Sequence, residues 1–136
     1  MIRYEWVWRP DAAALKGIAG LYKAAGWWEP GDTPQRVCRM VMGSHCFLVA
    51  RSGRRLVGMG RAISDRTNDG YIQDVFVRPG LRGRGVGAEL VRRLALRLRI
   101  DGLGWVGLVA VGGTRPFYEG RGFRKMSGHE PMRFQA

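Results

Sequence analysis

A short stretch rich in glycine and arginine holds the residues best suited to chemistry. It reads Arg82-Gly83-Arg84-Gly85-Val86-Gly87, followed by Ala88, and it lies between a predicted strand and a predicted helix. Glycines permit positive φ angles and let a ligand approach the backbone amides, and the free N–H groups of a helix start attract anions. The two arginines add positive charge at the same place. The sequence therefore predicts a phosphate-binding loop.

Two well-known phosphate loops do not match this stretch. A P-loop requires a lysine after its last glycine, and no lysine follows here. The spacing Gly83-x-Gly85-x-x-Ala88 meets the loose dinucleotide-binding fingerprint, but the acidic residue about 20 positions on, Asp101, precedes the next strand instead of ending it. The chain is also too short for two mononucleotide-binding halves. If the glycines only turned the chain, the paired arginines would have no explanation.

Length and composition indicate one globular domain over residues 1–136. Of these residues, 46% are hydrophobic and 25% charged, which is ordinary for a globular domain. The net charge is +12, from 23 basic and 11 acidic residues, and it favours a nucleic acid, an anionic membrane or a phosphate-bearing small ligand. The two cysteines lack metal-ligand spacing, and there is no long apolar run or signal-peptide pattern. We expect a cytoplasmic, metal-free protein outside the membrane.

Hydrophobic periodicity predicts ten elements in the order β-α-α-β-β-β-α-β-α-β. Their approximate ranges are 2–8, 11–25, 33–42, 46–50, 56–63, 71–77, 86–100, 105–111, 114–119 and 123–134. The helix over 86–100 is strongly amphipathic, and the strand over 105–111 is almost uniformly apolar. This order predicts an α+β fold with a mainly antiparallel sheet and one parallel crossover.

Two motifs carry a resemblance to a known family. Arg82-x-x-Gly85-x-Gly87, preceded by the strand Ile72–Val77, resembles the Q/R-x-x-G-x-G/A acyl-CoA loop of the GNAT superfamily of N-acyltransferases. Some 35 residues later, Phe117–Phe123 resembles the F-Y-x-x-x-G-F segment of that superfamily. The resemblance implies a mixed sheet of six to seven strands, about four helices, and a splayed parallel pair formed by strands 4 and 5.

The resemblance also implies that acetyl-CoA is the cosubstrate. Its pyrophosphate would sit on the loop, and its pantetheine would run between the strands 71–77 and 105–111. The implied cofactor-binding residues are Val75, Phe76, Val77, Arg82, Gly83, Arg84, Gly85, Val86, Gly87, Ala88 and Tyr118. Many members place a cofactor-contacting Asn seven residues before the tyrosine. Here that position is Val111, which weakens the expected contact after the fifth strand.

Acetyl transfer to an amine needs a proton acceptor, an oxyanion donor and a proton for the departing thiolate. Tyr118 is the candidate acid, because a phenol with a pKa of about 10 can protonate a thiolate that it touches. By the family pattern the oxyanion donor is the amide of Val75. Asp74, beside that amide, is the first choice of base, although its predicted strand face, shared with Ile72 and Phe76, would also suit a structural role.

Other residues are weaker candidates for the site. Asp65, Glu119, His45 and His129 are better explained as turn, surface or loop residues than as bases. Trp27 and Trp28 lie in the loop between the first two helices, which in this family borders the acceptor pocket. Because adjacent side chains point in different directions, we expect at most one of the two to line it.

The function that these residues imply is an N-acetyltransferase that moves the acetyl group of acetyl-CoA directly to a primary amine in a ternary complex. The acceptor is a small molecule or a protein amine, O-acylation is still open, and a homodimer is the family expectation. One alternative is a basic nucleic-acid-binding module, supported by the outward Arg92, Arg93, Arg97 and Arg99, although no recognised nucleic-acid motif or aromatic platform accompanies them. The other is an acyl-CoA sensor without catalysis.

Overall fold

The computed structural model of the chain describes residues 1–135, which form one sheet flanked by helices. The strands are β1 (Ile2–Trp6), β2 (Cys46–Ser52), β3 (Arg55–Ser64), β4 (Asp69–Val77) and β5 (Trp105–Gly107). The helices are α1 (Ala12–Ala24), α2 (Pro34–Gly43), α3 (Val86–Ile100) and α4 (Arg115–Glu119), with a short 3-10 turn at Pro79–Leu81.

The five strands lie in the sheet in chain order. Neighbours from β1 to β4 are antiparallel, and β4 pairs with β5 in parallel. A parallel neighbour requires a crossover connection, and α3 supplies it. The predicted α+β fold with one parallel pair is therefore confirmed, with five strands among the described residues instead of six or seven.

Helices cover both faces of the sheet. α3 packs on one face through the stripe that its periodicity predicts, and every residue of that stripe is buried: Val86, Leu90, Val91, Leu94 and Leu98. α1 and α2 cover the opposite face, where Ile18 and Val41 pack with Phe47 and Met59. The sheet is thus held between α3 and the α1–α2 pair, and the ends of its strands emerge between these layers.

The starts of α1 and α2 are explained by their capping residues. The carboxylate of Asp11 accepts a hydrogen bond from the amide of Ala14 at 2.8 Å, and the hydroxyl of Thr33 accepts one from Arg36 at 3.2 Å. These bonds satisfy amides that have no partner within the helix. Gly26, at φ 78°, lies just beyond the end of α1, as predicted. The loop 26–33 is thereby fixed between two helix ends.

The C-terminal part of the prediction is wrong. The predicted strand over 123–134 does not form among the described residues, and β5 ends at Gly107 instead of reaching Val111. Val109 and Val111 are exposed, as are Met132 and Phe134. An apolar run predicts a buried strand only where another layer covers it, and no helix or strand among residues 1–135 covers these exposed residues.

A β-bulge in β4 overturns the predicted placement of Asp74. Met59 pairs with Phe76 but Arg61 pairs with Gln73, so that Asp74 and Val75 together face Gly60. Because a bulge adds one residue, side chains beyond it exchange faces. Phe76 accordingly packs on the α1–α2 side, whereas Ile72 packs on the α3 side. Asp74 therefore does not share one strand face with both of them.

No helix among residues 1–135 combines the length and the apolar run that crossing a bilayer requires.

Candidate active site

β4 and β5 run side by side over only three residues and then part. Asp69 pairs with Trp105 and Tyr71 with Gly107, where the pairing ends. β4 continues to Val77, paired only with β3. Within the part of the chain that the structure describes, the stretch 72–77 of β4 thus has no strand on its β5 side. The divergence leaves backbone groups of β4 open to a ligand, and we call this opening the β4–β5 cleft.

The glycine–arginine loop leads from the end of β4 into α3. Gly83 and Gly85 adopt positive φ angles of 78° and 81°, and nothing lies within 4 Å of the position where a Cβ would project from either. Among residues 1–135 no hydrogen-bond acceptor takes the amides of residues 83–85. Gly85 also caps α3 without a side chain. The loop therefore presents unused N–H groups into open space.

Arg82 and Arg84 differ in their surroundings. The Nε of Arg82 donates to the carbonyl oxygen of Val77 at 2.9 Å, and its guanidinium lies 5.6 Å from the ring centroid of Phe76. Arg84 is exposed. The sequence suggested that both arginines serve the loop, but one of them also fastens the loop to β4. The carbonyl oxygen of Val77 has fewer lone pairs for a ligand in the cleft than predicted, because Arg82 already donates to it.

α4 brings the second motif against the first. The ring of Phe117 lies 3.5 Å from the position of a Cβ on Gly87, and Tyr118 packs edge to face against both Phe117 and Phe123. Tyr118 is half-buried, and that burial raises the pKa of its phenol above the ordinary value. Its hydroxyl is therefore protonated throughout the neutral range, as a proton donor must be.

Asp74 is held by two side chains that the sequence did not single out. Its Oδ2 accepts hydrogen bonds from the hydroxyl of Tyr22 and from Nε of Arg61, each at 2.7 Å. Burial, followed by the charge of Asp74, raises the pKa of Tyr22. Asp74 has a positive φ of 56°, which is uncommon for a non-glycine residue and is tolerated by aspartate in turns and bulges. The only available signal was the polar end of Tyr22 within the apolar stripe of α1.

The sequence of the chain matches the model of a known family. The family model described as "Acetyltransferase (GNAT) domain" matches residues 43–125, which is well over half of the chain. The chain belongs to the GNAT acetyltransferase family. The match extends from the end of α2 to just beyond α4, so it includes the β4–β5 cleft, the loop and Tyr118.

Individual GNAT relatives match either part of the chain at higher identity or all of it at lower identity. Histone acetyltransferase TAP1 of Glycine max is 39% identical over 70 residues, which are 52% of this chain and 30% of that protein. The chain thus spans under a third of that relative. A GNAT-family acetyltransferase from Streptococcus pneumoniae superposes with a TM-score of 0.83 at 23% identity, over 100% of this chain and 98% of its own. At that identity the likeness shows the fold alone.

A more distant solved structure contains part of a cosubstrate. AAC(6')-Iy in complex with the bisubstrate analogue CoA-S-monomethyl-acetylneamine has a TM-score of 0.79 at 14% identity, over 100% of this chain and 99% of its own. This likeness also shows the fold alone.

Two cavities flank the candidate site of this GNAT domain. One, of about 300 Å³, lies between the α1–α2 loop and β4, and we call it the α2-side cavity. Its lining includes Trp27, Trp28 and Asp74, so both tryptophans reach it and the expectation of at most one is wrong. The second, of about 780 Å³, lies beside β5 and is lined by Tyr118, Tyr71 and Trp105. The candidate base and acid therefore face different cavities.

The weaker base candidates have structural partners. Asp65 accepts hydrogen bonds from the amides of Thr67, Asn68 and Asp69, and these bonds lower the pKa of its carboxyl, which confirms the turn role. Glu119 is exposed and lies 3.6 Å from Arg115.

The two histidines are loop residues of different kinds. His45 is buried and hydrogen-bonds Ser64 at 2.6 Å and Asp101 at 2.8 Å, whereas His129 is exposed. The bond from His45 is the largest cause of the lowered pKa of Asp101. Among residues 1–135 no cluster of three or more possible metal-ligating side chains is found.

Three of the four outward arginines of α3, Arg92, Arg93 and Arg97, contact partners within the chain. Arg92 and Arg93 donate to Glu89 at 2.9 Å and 2.7 Å. The guanidinium of Arg93 lies 4.6 Å from the ring centroid of Tyr4, and that of Arg97 lies 5.6 Å from the ring centroid of Trp6. Aromatic rings therefore lie beside Arg93 and Arg97, but these guanidinium groups already stack on them, so the rings are not a free platform for bases.

Proposed function

We propose that this GNAT domain transfers the acetyl group of acetyl-CoA directly to a primary amine. The observation that carries the proposal is the loop 82–87: its unused amides stand in open space beside the β4–β5 cleft, at the start of α3. An anion at a helix start is stabilised by such amides and by the helix dipole. Membership of the acetyltransferase family makes the pyrophosphate of coenzyme A the anion that fits.

The residues present suit this cosubstrate. Open space lies where a side chain at position 83 or 85 would project, so a ligand can approach this backbone, and both positions are glycine with positive φ. Backbone groups of β4 from 72 to 77 lack a strand on the cleft side, so Val75 and Val77 can offer main-chain contacts to the pantetheine. Arg84 adds an exposed cation, and the net charge of +12 favours a polyanionic ligand.

The cosubstrate supplies a thioester, whose carbonyl carbon forms the new C–N bond while the C–S bond breaks. The amide of Val75, at the bulge, is our candidate for stabilising the negative charge that develops on the carbonyl oxygen. Tyr118 donates the proton that the departing thiolate needs. Burial raises the pKa of this phenol, so the hydroxyl carries its proton at neutral pH until the thiolate forms.

Asp74 is the residue that we assign to the acceptor amine. An amine with a pKa of about 10.4 arrives as an ammonium ion and must lose a proton before it attacks. Among residues 1–135 only Oδ2 of Asp74 is engaged, by Tyr22 and Arg61, so Oδ1 can accept a hydrogen bond from the ammonium group, take its proton and release it to solvent. Asp74 lines the α2-side cavity, which the proposal makes the acceptor site.

The cofactor claim is tested by a matched pair of substitutions. Gly85→Asp adds a carboxylate at the loop, and Gly53→Asp makes the same change at positive φ in the β2–β3 turn, outside the loop. Both variants carry backbone strain, so stability is compared first. We expect acetyl-CoA to raise the melting temperature of the wild type and of Gly53→Asp but not of Gly85→Asp. Equal shifts in both variants would contradict the loop assignment.

A further inference from the structure

The α2-side cavity has an aromatic wall that contacts β4. The ring centroid of Trp27 lies 6.0 Å from that of Phe76 on β4, in an edge-to-face arrangement, and 6.3 Å from that of Tyr22 on α1. Trp27 is nevertheless 42% exposed, a large fraction for so apolar a side chain. Trp28 lines the cavity as well and is half-buried against the α1–α2 core. An apolar group that enters the cavity would cover the open face of Trp27.

The charges at the cavity leave one carboxylate without a partner. Arg61 is engaged at all three nitrogens, by Asp74, by Ser44 at 3.4 Å and by Gln73 at 3.4 Å. Arg36 pairs with Asp32 at 3.4 Å. Glu29 lines the cavity and has no side-chain ion pair among residues 1–135.

The cavity is therefore net negative within a chain of net charge +12. Oδ1 of Asp74 also accepts no hydrogen bond from the described residues. This local charge favours a cation in the cavity, whereas the field of the rest of the molecule repels cations.

We propose that the acceptor is a small primary amine that carries an aryl or similarly bulky apolar group and no carboxylate. Its ammonium group would bind Oδ1 of Asp74, its apolar group would lie on Trp27, and Glu29 would favour its positive charge from the mouth of the cavity. A volume of about 300 Å³ lies at the small end of ligand sites. This inference rests on the proposed function and specifies its acceptor.

Other amines fit the cavity less well. An amino acid would bring a carboxylate into a cavity that Asp74 and Glu29 line, and the guanidinium of Arg61 already donates to three acceptors. A polyamine would bring further charges that only Glu29 could meet. A basic peptide would have to approach a strongly cationic protein, which the net charge opposes.

The experiment measures binding by quenching of tryptophan fluorescence, and turnover separately by thiol release from acetyl-CoA. The probes are 2-phenylethylamine, ethylamine, phenylalanine, spermidine and a lysine-containing peptide. We expect 2-phenylethylamine to bind at least tenfold more tightly than ethylamine, since burial of an aromatic group is worth about that much. It should also bind more tightly than phenylalanine, whose carboxylate would lie near Asp74 and Glu29.

Two tryptophan variants localise the preference. Trp27→Leu should abolish the difference between 2-phenylethylamine and ethylamine. Trp8→Leu removes a 50% exposed tryptophan that does not line the cavity, and it should leave the difference intact. Glu29→Gln should weaken binding of 2-phenylethylamine by a few fold, and added salt should reduce that effect.

Tighter binding of phenylalanine, spermidine or the peptide would overturn the inference, and so would a preference that survives Trp27→Leu. Acetyl transfer to one of these other amines would in that case leave the proposed function standing. Conversely, if 2-phenylethylamine binds as expected but acetyl-CoA neither binds nor reacts, the proposed function fails while the cavity assignment holds.

Discussion

Phe117 lies against Gly87, with its Cζ 3.5 Å from the place of a Cβ on that glycine. Phe117 belongs to α4, which carries Tyr118, and Gly87 lies in the first turn of α3, at the end of the loop. This packing contact therefore joins the proposed phosphate site to the helix of the proposed acid, although about 30 residues of chain separate the motifs. The contact leaves room for a methyl group and for nothing larger.

Substitutions at Gly87 should show how much room this contact leaves and whether the position of α4 depends on it. We expect Gly87→Ala to remain close to the wild type in stability and activity, because its methyl group would make an ordinary van der Waals contact and its φ is not in the positive range. Gly87→Leu should push Phe117 away, lower the melting temperature and reduce kcat. Thermal unfolding and steady-state kinetics of the two variants test this, and equal behaviour would contradict the proposed connection.

Tyr118→Phe tests the proton donor. The substitution keeps the ring packing against Phe117 and Phe123 and removes only the hydroxyl. We expect kcat to fall roughly 10²–10⁴-fold, the usual range for general acid–base catalysis, with little change in the affinity for acetyl-CoA. Tyr4→Phe is the matched control, because Tyr4 is another tyrosine with a raised pKa but lies on β1. Unchanged kcat in Tyr118→Phe would remove Tyr118 from the mechanism.

Tyr22 and Arg61 should stabilise the fold through Asp74. Tyr22→Phe removes one hydrogen bond and should lower the free energy of unfolding by about 0.5–1.5 kcal/mol. Arg61→Met removes the cation beside the carboxylate and should cost more, about 1.5–3 kcal/mol. Arg54→Met, at an exposed position in the β2–β3 turn, should change stability by less than about 0.5 kcal/mol. Urea unfolding at neutral pH measures all three, and the reverse order of the first two would contradict the ion pair.

Much of the fold is determined by local pattern in the sequence. The stripe of α3, the caps Asp11 and Thr33, and the turn at Asp65 were predictable because each depends on residues within a few positions of one another. The loop glycines were predictable for the same reason, since only a positive φ or close ligand approach explains their density. The two motifs then identified the family that the comparison confirms.

The remaining features depend on long-range contacts. A bulge at Asp74 reverses the faces of β4, and no alternation pattern shows where one extra residue is inserted. Tyr22 lies 52 residues from Asp74, so their hydrogen bond has no local signature. The run from Trp105 to Val111 is apolar enough for a buried strand, but β5 stops at Gly107 because no layer covers the exposed valines beyond it.

Unfolding at acid pH should reveal the contribution of Glu89 to the stability of the fold. Hydrogen bonds from Arg92, and then from Arg93, lower the pKa of Glu89 to about 2 from its ordinary 4.5. A lowered folded-state pKa gives stability that is present above pH 4.5 and lost as the pH falls toward 2. We therefore expect Glu89→Gln to be less stable than the wild type at pH 7, and the difference to shrink by about pH 3. Urea unfolding at both pH values measures it, and a difference independent of pH would contradict the assignment.

The most direct test of the central claim is to incubate the purified protein with acetyl-CoA and a panel of primary amines, and to identify the products by mass spectrometry. We expect an amine to gain one acetyl group in step with the release of free coenzyme A. Gly85→Asp should abolish both products, and Gly53→Asp should retain them. Binding of acetyl-CoA without an acetylated product from any class of amine would contradict the assignment of this domain as an N-acetyltransferase.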